Sequence, residues 1–240
     1  MRGAINRDKA VRSAKSERIF YSDDDDVMLP HHIETLGREL NTADIVDTPV
    51  ASVRLYGPPA LGILNSSHPK QREMLQSEAL KGVFDTHLAH TKQTYLERSG
   101  AWAEPPDRRV VLHMLKTFAA DSKVRWKSVQ RITALSVHGA RRLNASASVR
   151  AAELAALSNQ LGPKTEDRLR SEGGYCSYAN ALFKAVGPEA ISNAAELFST
   201  VGLSANVMSD RQLQSLSALI DVKRGRKPNL DHAAYAIHEM

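Results

Sequence analysis

The residues best suited to chemistry are ten arginines and lysines between positions 108 and 150. One acidic residue, Asp121, shares this segment with them, so the segment carries a charge of +9 (ten minus one). A polyanion that neutralises such a segment releases condensed counterions, and this release favours binding. The segment therefore predicts contact with the backbone of RNA or DNA. The predicted contact residues are Arg108, Arg109, Lys116, Lys123, Arg125, Lys127, Arg131, Arg141, Arg142 and Arg150.

Three of these cations have the spacing of a helical stripe. Lys123, Lys127 and Arg131 are four residues apart, which places them on one face of a helix predicted over residues 122–137. Like charges at this spacing repel, and a polyanion relieves the repulsion. The alternative is a solvated helix face whose acidic partners come from elsewhere in the fold. Trp126 is predicted either to stack on a base or to pack in the core.

A helix-turn-helix is a second possible arrangement of the basic segment. It covers Val129 to Val149, with Gly139 in the turn and the pair Arg141-Arg142 at the start of the second helix. An ordinary core helix interrupted by glycine explains the same residues and is the favoured interpretation.

A short basic stretch lies near the C-terminus, at Arg224-Gly225-Arg226-Lys227-Pro228. It resembles the Arg-Gly-Arg-Pro core of AT-hooks, which enter the minor groove, but Lys227 separates the second arginine from the proline and there is one copy. A basic loop between two helices explains it equally well. The three cations, Arg224, Arg226 and Lys227, are predicted as phosphate contacts.

Residues that typically carry catalysis or metal ions show no telling pattern. Cys176 follows two glycines and precedes a predicted helix, as a nucleophile can, but no histidine is tied to it by a known motif. His87 and His90 are three residues apart and could lie on one helix face. Two histidines are too few ligands for zinc, and no further ligand stands at a telling spacing. No phosphate-binding glycine loop or hydrolase signature is present. We therefore predict a protein that is not an enzyme and has no cofactor and no metal site.

The elements that must position the basic segment are predicted to be helices. Aromatic residues make up 5% of the chain, and a core of leucine, valine, isoleucine, methionine and alanine is expected to favour helices over strands. Apolar periodicity predicts a first helix starting at Pro30, a long helix from Pro69 to Arg98, and others over residues 105–118 and 147–161. The predicted fold class is all-α, a multi-helix globule with the possibility of two helical lobes.

Composition also predicts three regions. Residues 1–28 combine scattered basic residues with the acidic run Asp23 to Asp26, which is typical of a flexible charged arm. Residues 29–162 form a helical lobe that contains the basic segment. Glycines and a proline over 162–174 mark the boundary to a C-terminal helical lobe over 163–240.

These observations together predict a structural or assembly protein that binds nucleic acid largely without sequence specificity, like a nucleoprotein, coat or packaging protein, and forms homo-oligomers. The alternatives are a helical adaptor or effector with an acidic protein partner, and a helix-turn-helix regulator. One cysteine, no secretory signal and no run of about 20 apolar residues predict an intracellular location, in the cytoplasm or within a virion, without a membrane partner.

Overall fold

The computed structural model describes residues 2–23, 26–54, 60–62, 65–77, 85–98, 102, 110–138, 146–161, 165–169 and 210–223. These residues form helices and two four-stranded mixed sheets. The chain divides into two compact units, which are described separately. The first consists of Met1–Val50 and Leu64–Ala134, and the second of Ala51–Ile63 and Leu135–Met240.

The helices and strands are numbered in chain order. The helices are α1 (Arg2–Ser13), α2 (His32–Glu39), α3 (Pro69–Gln76), α4 (Lys92–Leu96), α5 (Val110–Ala119), α6 (Ala147–Gln160), α7 (Thr165–Arg168) and α8 (Asp210–Lys223). The strands are β1 (Arg18–Phe20), β2 (Asp26–Met28), β3 (Ile45–Asp47), β4 (Val50–Arg54), β5 (Ala60–Gly62), β6 (Leu88–Thr91), β7 (Trp126–Ser128) and β8 (Ala134–His138). A single 3-10 turn, Asp85–His87, precedes β6.

The first unit is built on a sheet with the strand order β1-β6-β3-β7. Strand β6 runs antiparallel to both β1 and β3, whereas β3 and β7 are parallel. Ile45 lies opposite His90 on one side and Trp126 on the other, so these three side chains share a face. Val46 lies opposite Ala89 and points to the other face.

Both faces of this sheet are covered by helices. On the Ile45 face, one apolar cluster joins the sheet to α1 through Val11, to α4 through Tyr95 and to α5 through Phe118. On the Val46 face, a smaller cluster includes Leu36 of α2. The first unit is therefore a layered α/β arrangement in which the sheet lies between α2 and the other helices.

The second unit contains part of the second sheet. Strands β8, β4 and β5 are neighbours in this order, and β4 pairs with β8 in parallel, with Ser52 opposite Ser136. Helix α8 buries Leu216 and Leu219, each 4% exposed. Helix α6 is mostly exposed, and its Val149 is 50% exposed.

The all-α fold class is wrong, because the structure is an α/β fold with two sheets. The helix predicted over residues 122–137 shows the physical reason. Its apolar residues Val124, Ile132 and Leu135 are buried as expected, but they come from a turn, a loop and a strand. Burial produces an apolar pattern whichever element carries it, and short apolar runs fit helix and strand alike.

The long helix predicted from Pro69 to Arg98 is corrected in the same way. It begins correctly as α3, but residues 88–91 form β6 and residues 92–96 form the separate helix α4. The apolar residues at helical spacing, Leu88 and Tyr95, are buried from two different elements. Residues 78–84 lie outside the described part of the chain.

The flexible charged arm is also corrected over residues 2–23, which form α1 and β1. Val11 is 3% exposed in the core, and Lys92 Nζ donates a hydrogen bond to the carbonyl of Ala14 at 2.7 Å. The argument from unpaired charge fails because partners are near: Arg7 binds Asp23 at 2.7 Å. The boundaries predicted after residues 28 and 162 stay predictions.

Candidate functional site

The structure describes six of the thirteen predicted contact residues. Lys116, Lys123, Arg125, Lys127 and Arg131 belong to the first unit, and Arg150 belongs to the second, where it lies on α6. The other predicted contacts, together with Cys176, lie outside the described residues: Arg108, Arg109, Arg141, Arg142, Arg224, Arg226 and Lys227. The helix-turn-helix is wrong at its first helix, because residues 134–138 form β8.

Four cations of the first unit follow one another along an edge of its sheet. Lys123, Arg125, Lys127 and Arg131 are all exposed, and we call them the basic edge. They do not form a helical stripe, since Lys123 lies in a turn before β7, Lys127 lies on β7, the terminal strand of the sheet, and Arg131 lies in a bend beyond it. Arg125 and Lys127, two residues apart, therefore lie about 6.6 Å apart along the chain and share a face.

Acidic residues from α2 and the loop after it meet two of these cations. The Arg125 guanidinium donates to Asp44, from Nη2 to Oδ1 at 2.7 Å and from Nε to Oδ2 at 3.2 Å. This side-chain bonding holds the pKa of Asp44 below its usual range despite partial burial. Lys127 Nζ lies 4.0 Å from Glu39 Oε2. The excess of positive charge in the sequence is therefore partly offset in space.

Trp126 points away from the basic edge. It lies on the Ile45 face, is partly buried and packs against the apolar cluster of the first unit. Its position matches core packing, and a stacking role for its ring has no support in this geometry.

One end of the sheet opens into a polar cavity of about 640 Å³, which we call the end pocket. It lies where β1, β3 and β7 begin and β6 ends, and the loop after α5 closes one side. Its lining includes Arg18, Thr91 and Arg98 together with Lys123 and Arg125 of the basic edge. Four basic and four acidic side chains line it in all, so its formal charge is zero.

The charged groups of the end pocket fall into two classes. Arg98, with 12% of its side chain exposed, binds the carboxylates of Asp121 and Glu97, and Arg125 binds Asp44. The pKa of Asp121 is lowered, first by the backbone N–H of Lys123 and then by Arg98.

The second class consists of charged side chains that form no ion pair, and we call them uncommitted. Within the described residues, neither Arg18 nor Lys123 forms an ion pair with a carboxylate, although the charge of Lys123 helps to lower the pKa of Asp121. The Glu17 carboxylate has no hydrogen-bonding partner among the same residues. The Arg18 guanidinium is oriented by a neutral group, since Nη2 donates to Asn41 Oδ1 at 2.6 Å. Two free cations and one free carboxylate therefore face the same cavity.

A buried polar cluster occupies the opposite end of the sheet. Asp47, at the end of β3, is 0% exposed, and its Oδ2 accepts a hydrogen bond from the Ser66 N–H at 3.0 Å. Its Oδ1 has no hydrogen-bond donor among the described residues. Burial raises the pKa of Asp47 to about 6, while Ser128 and Ser66 act in the opposite direction.

A chain of hydrogen bonds between buried side chains begins beside Asp47. Thr133 donates to the Thr48 hydroxyl at 3.3 Å, and Thr48 lies 3.5 Å from His87 Nδ1. Since the Thr133 proton points to Thr48, His32 Nδ1 must donate to Thr133, at 2.8 Å. Burial lowers the pKa of His32 to about 4. Sequence reasoning missed this cluster, because its bonded pairs are 39, 85 and 101 positions apart and show no common spacing.

Over the described part of the chain, no group of three or more histidine, cysteine, aspartate or glutamate residues is placed to hold a metal ion. None of the helices described combines the length and apolar character that a membrane crossing requires. Neither a protein-family model nor a curated protein sequence matches the chain.

Proposed function

We propose that the first unit binds the backbone of nucleic acid along the basic edge, without sequence specificity, in a structural or assembly role that needs no catalysis. The observation that supports this proposal is the series of four exposed cations along and beside β7, the terminal strand of the sheet. The spacing of about 6.6 Å between alternate residues is close to two phosphate steps of about 3.4 Å along a stacked strand.

The offset of charge by Asp44 and Glu39 predicts weak binding by a single subunit. Paired arginine and lysine side chains release fewer counterions than free ones, because a carboxylate already neutralises them. Several subunits on one strand gain avidity without any new contact, which is the reason we propose a homo-oligomer as the working form. This function places the protein where nucleic acid is present, within the cell or within a virion.

An acidic protein is the competing ligand for the same surface. Lysines on edge strands also have a purely structural use, since they discourage edge-to-edge pairing of sheets. Lys127 lies on such a strand, with 53% of its side chain exposed. Binding measurements that vary both salt and ligand separate these alternatives.

The first prediction concerns the salt dependence of binding. In the double variant Lys127→Gln/Arg131→Gln, affinity for single-stranded RNA and DNA should fall equally for unrelated sequences. The slope of log affinity against log salt should flatten by about 1.4, since each single-strand phosphate contact contributes about 0.7. Fluorescence anisotropy with labelled 20-mers over a salt series measures both quantities.

A charge-matched control separates the basic edge from net charge. Lys9 and Lys15 are exposed on and just after α1, and Lys9→Gln/Lys15→Gln makes the same change of two charges. This control should keep the wild-type slope within error. Equal slopes for wild type and both variants would refute the proposal, and so would a wild-type protein that binds no nucleic acid at low salt. An acidic polypeptide that binds at physiological salt when RNA does not would point instead to the adaptor.

A further inference from the structure

We infer that the end pocket binds a phosphorylated sugar, the chemistry shared by the terminal nucleotide of a nucleic acid and by a free nucleoside monophosphate. The inference goes beyond backbone binding, because it assigns a separate site with a small ligand. The pocket shares Lys123 with the basic edge, but its other two uncommitted charges, Arg18 and Glu17, come from β1 and the residue before it.

The size and lining of the pocket limit the ligand. Its volume of about 640 Å³ lies within the range of about 300–1,000 Å³ that small-molecule sites occupy. Such sites are usually apolar, but here Leu40 is the one aliphatic hydrophobic residue in the lining and no aromatic ring contributes. A planar base would find nothing to stack on, so recognition must come from charge and hydrogen bonds.

The uncommitted cations provide a place for phosphate. Arg98 and Arg125 are occupied by Asp121 and Asp44, and a ligand would have to displace these carboxylates to use their full charge. Arg18 uses one N–H donor for the Asn41 amide oxygen, and its other donors can bind a ligand. The Lys123 ammonium group makes no hydrogen bond among the described residues. Both cations line the cavity, and the guanidinium fork of Arg18 matches the geometry and charge of a phosphate group.

Acceptors and hydroxyls in the same cavity suit the sugar. The Glu17 carboxylate is free to accept from a sugar hydroxyl. The Thr94 hydroxyl accepts from Thr91 at 2.7 Å and so keeps its own proton to donate, and Gln93 uses its amide N–H on Glu97 at 2.9 Å, which leaves its carbonyl oxygen open. Two uncommitted cations against one uncommitted carboxylate favour an anionic ligand over a zwitterion such as an amino acid.

The test is a titration of the whole chain with ribose 5-phosphate, followed by amide chemical shifts in nuclear magnetic resonance spectra. Perturbed amides should cluster at Thr91, Thr94 and Lys123. Adenosine and uridine 5′-monophosphates should bind within about threefold of ribose 5-phosphate, because the base has no stacking partner. Ribose should bind far more weakly. Equal binding of ribose and ribose 5-phosphate, tighter binding of glycine, or no perturbation in the pocket would each overturn the inference.

Variants connect the binding to the uncommitted charges. Arg18→Gln and Lys123→Gln should each weaken ribose 5-phosphate by about tenfold, the effect of losing one hydrogen bond to a charged group. The control Lys9→Gln removes the same charge outside the pocket and should change nothing. An amide spectrum that is unchanged elsewhere shows that each variant is folded. Affinity unchanged in both pocket variants would contradict the site.

Two further binding experiments identify the source of the ligand and distinguish this site from the basic edge. If the ligand is a strand end, an oligonucleotide with a 5′-phosphate should bind more tightly than one with a 5′-hydroxyl, and Arg18→Gln should abolish the difference. If it is a free nucleotide, the two oligonucleotides should bind alike while ribose 5-phosphate still binds. Lys127→Gln/Arg131→Gln should leave ribose 5-phosphate binding intact, so backbone binding and pocket binding can fail independently.

Discussion

Replacing Tyr21 with phenylalanine is expected to lower the free energy of unfolding by about 2–4 kcal/mol, although it removes a single oxygen atom. Tyr21 is 7% exposed in the core, and its hydroxyl, which lies 4.0 Å from Met114 Sδ, bonds two further side chains. Trp102 Nε1–H donates to it at 3.0 Å, and it lies 2.6 Å from His90 Nε2. The change would leave a buried donor and a buried acceptor without partners, and each orphaned group costs about 1–3 kcal/mol.

The direction of each hydrogen bond follows from which groups have a proton to donate. The indole N–H can only donate, so the Tyr21 oxygen accepts from it. The Thr91 carbonyl can only accept from His90 Nδ1, which leaves Nε2 of the neutral ring as an acceptor for the Tyr21 proton. His90 Nδ1 then carries the ring proton and donates to the carbonyl of Thr91 at 2.9 Å. His90 is therefore neutral, with both nitrogens used, and burial lowers its pKa to about 4.

Tyr95→Phe is the matched control for this prediction. The Tyr95 hydroxyl donates to Asp8, but that carboxylate also accepts from Arg12 at 3.0 Å and is partly exposed, so water can replace the lost donor. The expected loss is about 1 kcal/mol. Urea unfolding followed by tryptophan fluorescence measures both variants. Equal losses would show that the Tyr21 network is worth no more than one ordinary hydrogen bond.

Helices whose apolar periodicity lies within one continuous segment could be predicted from the sequence. Helix α5 is ten residues long, and its buried residues Leu112, Met114, Leu115 and Phe118 form the apolar face that periodicity indicates. Helix α6 was likewise predicted from its own pattern, and the structure adds that Ser146 caps it by accepting from the Val149 N–H. A helix of several turns repeats its apolar face often enough to be recognised without its partners.

The sheet of the first unit could not be predicted in this way. Strands β1, β3 and β7 have three residues each, too few to show alternation. Ile45 is in a strand because it pairs with His90 and Trp126, residues 45 and 81 positions away in the chain. Such pairing is decided by tertiary packing, which outweighs local propensity.

The candidate site shows the same division. Charge density singled out Lys123 and Arg125, which do line the end pocket. It missed Arg18 and Glu17, which reach the pocket only because β1 pairs with β6. It also missed that Asp44 neutralises Arg125, since the interaction spans 81 positions. The charge counted along the sequence therefore identifies which surface is basic, but it overstates the positive charge of that surface in the folded protein.

Acidification is expected to destabilise the protein between pH 6.5 and 4. His32 and His90 are buried as neutral rings, and burial lowers the pKa of each from 6.5 to about 4. In this range the unfolded chain takes up protons that the folded chain does not, so stability is full above pH 6.5 and falls as pH decreases. At about 1.4 kcal/mol per pH unit, each imidazole accounts for about 3 kcal/mol by pH 4.

Asp47 opposes this loss, and its variant provides the sharpest test. Its folded pKa of about 6 lies above the ordinary value of 3.8, so folding is favoured by its protonation as pH falls from 6 to 3.8. This gain is about 3 kcal/mol, which leaves a net loss of about 3–4 kcal/mol. Asp47→Asn removes the gain, so its loss between pH 6.5 and 4 should be steeper by about 3 kcal/mol. Urea unfolding at half-unit pH steps measures the difference, with Asp167→Asn as an exposed control that should follow the wild type. Parallel curves for wild type and Asp47→Asn would show that this carboxyl does not titrate in the window.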